Sequence, residues 1–88
     1  MKNNTKNIDL TRGNFPTRLR ELREEHHLSQ SDLAEKTGLT YRTIHDIEKG
    51  KRARVQEKTL MLIAGALGMT LEELLNGEIT HQPRGGTT

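Results

Sequence analysis

Residues 28–52 read LSQSDLAEKTGLTYRTIHDIEKGKR, and this stretch decides the architecture of the chain around it. Ser29, with Asp32 three residues on, marks a helix start, because its hydroxyl can accept from one of the N–H groups that a first turn leaves without a partner. Leu33 and Ala34 supply the apolar positions of that helix. Gly38 ends it, since glycine takes the left-handed conformation that closes a helix without steric cost. Thr40 then caps a further helix with Ile44 and Ile47 on its inner face and Gly50 as its stop. Thr37-Gly38-Leu39-Thr40 is therefore a short, sharp junction. Ala34 is small enough for the two helices to cross closely, and Leu33, Leu39, Ile44 and Ile47 bury the elbow. Packing alone would make this an α-hairpin.

The same apolar spacing continues on both sides. Upstream, Phe15, Leu19 and Leu22 outline a helix with Pro16 in a first turn that tolerates it. Downstream, Leu60, Ile63, Ala64 and Leu67 outline another, ended by Gly68. Leu71, Leu74 and Leu75 outline the last, opened by Thr70 and Glu73 as a capping box and closed by Gly77. Strand-like alternation is not evident. Five helices too short to stand alone predict an all-α, compact bundle over residues 15–76. Residues 1–14 are polar apart from isolated aliphatics and predict a flexible N-terminal arm. Residues 77–88, GEITHQPRGGTT, predict a flexible C-terminal tail.

A chain of 88 residues with 31% hydrophobic and 2% aromatic content has material for one small core. With no Cys it has neither a disulfide framework nor a thiolate metal site, and no apolar run reaches the length of a membrane span. The polar start MKNNTKNIDL lacks the hydrophobic segment of a signal peptide, so a cytoplasmic protein is expected. His26, His27, His45 and His81 show no metal-ligand spacing. No phosphate-cradling glycine loop or partnered nucleophile is present, so neither an enzyme nor a cofactor is expected.

The net charge of +2 conceals an asymmetry. Within residues 15–76, ten basic and ten acidic side chains cancel, yet Lys49, Lys51, Arg52 and Arg54 crowd together with no acid among them. They follow directly on the third helix. On that helix Tyr41, Arg42, His45, Asp46 and Lys49 share an outward arc of about 140°, while Ile44, Ile47 and Glu48 lie on the other side. A face of this kind can present donors and acceptors to base edges in a major groove, with the basic run beside it for backbone phosphates.

Residues 28–52, together with RLRELREE (18–25) and TLMLIAGALGMTLEELL (59–75), closely resemble the helix-turn-helix of the Cro/XRE family of bacterial and phage repressors. The resemblance covers about two thirds of the chain. It implies a lambda-repressor-like DNA-binding domain of five helices, with helices 2 and 3 as the helix-turn-helix. It also implies a sequence-specific regulator of transcription, a repressor, that binds double-stranded DNA as a homodimer on a palindromic operator. The base-reading positions it implies are Tyr41, Arg42 and Asp46, and His45 on the same outward face is a further candidate base reader. Thr40 and Thr43 would lie near phosphates, and Gln30 would bond a phosphate and brace the reading helix. Lys49, Lys51, Arg52 and Arg54 would follow the DNA backbone, and Arg23 and Glu48 would form a partly buried ion pair that aims the helix.

Two departures stand out. Asp46 is an acid in a groove of phosphates, open either to reading cytosine or to holding Arg42 four residues earlier. The stretch ARVQEKTL (53–60) is about one residue longer than usual and lacks the frequent proline. Val55, Met61, Met69, Leu71 and Leu75 are candidates for a dimer surface, although Leu71, Leu74 and Leu75 would equally serve to close the core. The alternative reading is a protein-interaction module, antitoxin-like or coactivator-like, whose tails engage a protein partner.

Overall fold

The computed structural model describes residues 6–11 and 14–76. Its elements run β1 (Asn7–Asp9), α1 (Phe15–Glu25), α2 (Gln30–Thr37), α3 (Tyr41–Glu48), β2 (Arg54–Gln56), α4 (Glu57–Ala66) and α5 (Leu71–Asn76). The five helices are those the aliphatic spacing predicts. Every one of them contributes to a single core: Leu19, Leu33, Ile44, Ile47, Leu60, Ile63 and Leu74 are fully buried.

Local chemistry sets the helix ends. At α2 the capping box is complete, since Asp32 N donates to Ser29 Oγ at 2.9 Å and Ser29 N to Asp32 Oδ2 at 3.0 Å. Hydrogen bonding from Ser29, its backbone N–H first and its hydroxyl second, holds the Asp32 carboxyl below its ordinary pKa. The reciprocal pair at α5 joins Thr70 and Glu73, and Thr40 Oγ1 accepts from Thr43 N at the start of α3. Gly38 adopts φ +81°, and its N–H donates to Ala34 O at 2.9 Å. Thr37 completes the junction: its buried hydroxyl donates back to the Leu33 carbonyl at 2.8 Å, and accepts from Leu39 N at 3.2 Å. The turn between α2 and α3 is thereby fixed by a side chain as well as by glycine.

The N-terminal segment differs from expectation. Residues 7–9 are not part of a flexible arm; β1 pairs antiparallel with β2 in the register Asn7↔Gln56, Ile8↔Val55, Asp9↔Arg54. Leu10 is 7% exposed and belongs to the core, with Ile8 packed against it. Val55 is 6% exposed, so it closes the core and is removed from the candidate dimer surface. The physical reason is that a strand sends alternate side chains to opposite faces. With Val55 at its centre, β2 has one inward residue, and its neighbours Arg54 and Gln56 are exposed. The two strands are a small addition to a fold that is otherwise helical. The flexible tail expected over residues 77–88 lies outside the described residues.

Candidate nucleic-acid interface

Helix α3 is aimed by a buried charge pair. Arg23 Nε donates to Glu48 Oε2 at 2.7 Å and Nη2 to Oε1 at 2.9 Å, while Nη1 donates to the Leu28 carbonyl at 2.8 Å. The two side chains are only 10% and 3% exposed. The bonded Glu48 carboxylate raises the Arg23 pKa, against the opposing effect of burial. The last turn of α3 is thus fastened to α1.

The fastening continues outward. Glu48 Oε1 also accepts from Gln30 Nε2 at 3.0 Å, and His45 Nδ1 lies 3.4 Å from Gln30 Oε1, with the nitrogen as donor. The His45 ring stacks on Tyr41, with centroids 5.7 Å apart and planes inclined by 24°. Gln30 therefore bridges α2 to α3 through its side-chain amide.

Beyond this chain the outer face opens. Tyr41 is 51% exposed and the Arg42 side chain 77% exposed. Thr40 and Thr43 share a hydroxyl bond of 2.9 Å at the helix start. Asp46 lies between two guanidinium groups, 3.6 Å from Arg42 Nε and 3.8 Å from Arg52 Nη2. It thus does what the spacing allowed for it, holding Arg42, and it also gathers Arg52 from the following loop. At these distances and exposures each pair is weak and chiefly orients its partner.

Lys49, Lys51, Arg52 and Arg54 are all exposed. The first three lie at the end of α3 or just past it, while Arg54 stands on β2. Sequence reasoning did not identify Arg18, whose Nη2 donates to the Leu74 carbonyl at 3.2 Å and ties α1 to α5. It also passed over Leu62, which is 44% exposed beside Met61 at 55% on the outer side of α4. A helical wheel places Leu62 opposite the buried stripe, so that signal was available. Met69, Leu71 and Leu75 are partly buried against the core.

Comparison with known proteins gives a consistent result. The helix-turn-helix family model HTH_3 matches residues 19–74. An SPbeta prophage-derived uncharacterized HTH-type transcriptional regulator of Bacillus subtilis, YotL, is 40% identical over 58 residues, 66% of this chain and 72% of that protein. The restriction-modification controller C.AhdI of Aeromonas hydrophila superposes with a TM-score of 0.65 at 38% identity, covering 69% of this chain and 91% of that one. SinR of Bacillus subtilis, a master regulator for biofilm formation solved in complex with DNA, gives a TM-score of 0.66 at 26% identity, covering 69% and 97%.

Proposed function

Because the chain belongs to the helix-turn-helix family of transcriptional regulators, we propose that it is a sequence-specific repressor that reads double-stranded DNA through α3. The observation that carries this reading is one helix, fastened from behind by the buried Arg23–Glu48 pair, with Tyr41 and Arg42 projecting from its free face. Arg42 contacts guanine O6 and N7, and Tyr41 packs against a thymine methyl or bonds a phosphate. Asp46 sets the direction of Arg42. His45 borders the same face and buttresses Tyr41. Lys49, Lys51, Arg52 and Arg54 follow the phosphates, with Thr40 and Thr43 at the other end of the helix.

One such helix spans a half-site, so the working unit is a homodimer on a palindromic operator with half-sites about 34 Å apart. Met61, Met69, Leu71 and Leu75 form the dimer surface. A DNA complex of the related SinR supports the mode of binding. Selection from a random DNA pool tests the reading: a two-fold symmetric motif is expected, and its enrichment disappears when Lys49, Lys51, Arg52 and Arg54 are replaced together by Ala. A pool without any enriched sequence would overturn it.

A further inference from the structure

The ladder between β1 and β2 does more than cover the core. The chain leaving α3 is pinned first by Lys51 N, which donates to Asp46 O at 2.9 Å. It is pinned again at Ala53, whose carbonyl accepts from Leu10 N at 2.7 Å, and at Glu57, whose N–H donates to Lys6 O at 2.7 Å. Hydrogen-bonded pairs recur at every second residue of an antiparallel ladder, so Ile8 and Val55 form the pair between these two. Arg52 is the one residue between the first anchor and the second, and Arg54 lies within the paired strand itself. Two of the four basic side chains therefore owe their backbone positions to residues 6–10.

We infer that the N-terminal strand is a positioning element for DNA binding: it preorganises the basic segment that follows α3, so that Arg52 and Arg54 meet phosphates without first having to be ordered. The inference rests on the DNA-binding reading above. Its physical basis is general, since a segment already held in its bound conformation escapes the entropy cost of ordering on association. A two-stranded ribbon is marginal alone, but here Leu10 and Val55 are buried and Ile8 packs beside them, which supplies the missing stability. The strand makes no demand on base contacts. Its effect is therefore on the sequence-independent part of affinity, and the base preference set by Tyr41 and Arg42 is untouched.

Ile8→Pro in the full chain removes the central donor of the ladder. Three measurements are made on it and on the parent: helicity by circular dichroism, amide exchange at Val55 and Glu57, and binding to a selected site and to random DNA across a salt series. The expected result is intact helicity, faster exchange at both amides, and binding weakened about tenfold on both DNAs, about the equilibrium cost of ordering one residue's backbone. The salt slope falls by about one to two units as Arg52 and Arg54 lose fixed positions.

Restoration provides the second arm. Asn7 and Gln56 are exposed and form a non-hydrogen-bonded pair, the geometry in which Cα atoms lie close enough for a disulfide. Asn7→Cys with Gln56→Cys, added to Ile8→Pro, should recover parental affinity when oxidised and lose it when reduced. Faster exchange with unchanged affinity, no recovery on oxidation, or loss of helicity in Ile8→Pro would each overturn the inference. Failure of the parent to bind either DNA would instead overturn the DNA-binding reading and this inference with it.

Discussion

Arg23 and Glu48, 25 residues apart in the chain, meet with two parallel hydrogen bonds of 2.7 and 2.9 Å between guanidinium and carboxylate. This two-pronged geometry restricts the angle between α1 and the end of α3 as well as their distance. The third guanidinium nitrogen holds the Leu28 carbonyl, so the same arginine also fixes the approach to α2. The helix proposed to read DNA is thus oriented from within the protein.

Removing one member of this pair should be costly. Glu48→Ala leaves Arg23 charged and nearly buried, and a loss of about 3–5 kcal/mol is expected in urea unfolding. Arg23→Met combined with Glu48→Leu should cost less than Glu48→Ala alone, because neither charge is left stranded. A double variant less stable than the single one would contradict this account.

Two classes of basic residue should separate in binding assays. Arg42→Ala is expected to lose about 1–3 kcal/mol on the selected site and to relax preference at one base position. Lys51→Ala should weaken all sequences alike and lower the salt slope by about one unit. Titrations of both variants over selected and random DNA distinguish the two behaviours.

Gly38 provides a test of the junction between α2 and α3. A Cβ there would meet no atom within 4 Å, so the penalty of Gly38→Ala is conformational and not steric. At φ +81° that penalty should be about 1–2 kcal/mol. A thermal melt measures it. A neutral substitution would mean that the turn relaxes out of the left-handed region.

Asp32 gives a dependence on acid. Its pKa is lowered by the bonds from Ser29, so its contribution to stability is present at neutral pH and is lost as pH falls through the folded value, below the ordinary aspartate value of about 3.9. In an NMR titration its carboxyl should titrate below that value. The stability difference between the parent and Asp32→Ala should narrow over the same acid range.

The helical part of the fold was legible because its signals are local. Ser29 with Asp32, Thr40 before Tyr41, and Gly38 each act within four residues, and Ile44 and Ile47 repeat at helical spacing. The strand pair was not legible for the opposite reason. Ile8 meets Val55 across the length of three helices, and a three-residue strand offers too few alternations to read. The same limit applies to His27, which takes φ +57° after α1 where no glycine advertised a stop. At the site, the outward arc of α3 followed from periodicity alone, whereas the inward engagement of Gln30 depends on Glu48, 18 residues away. A side chain's residue type tells what it can bond; only the assembled fold chooses between an internal and an external partner.

The stacking of Tyr41 on His45 has a practical consequence. The chain holds one Tyr and no Trp, so its ultraviolet emission is dominated by a single ring, and that ring sits half-exposed on the face proposed to enter the groove. The protein therefore carries a built-in optical reporter: quenching or recovery of tyrosine fluorescence would follow events at that surface without any label being attached.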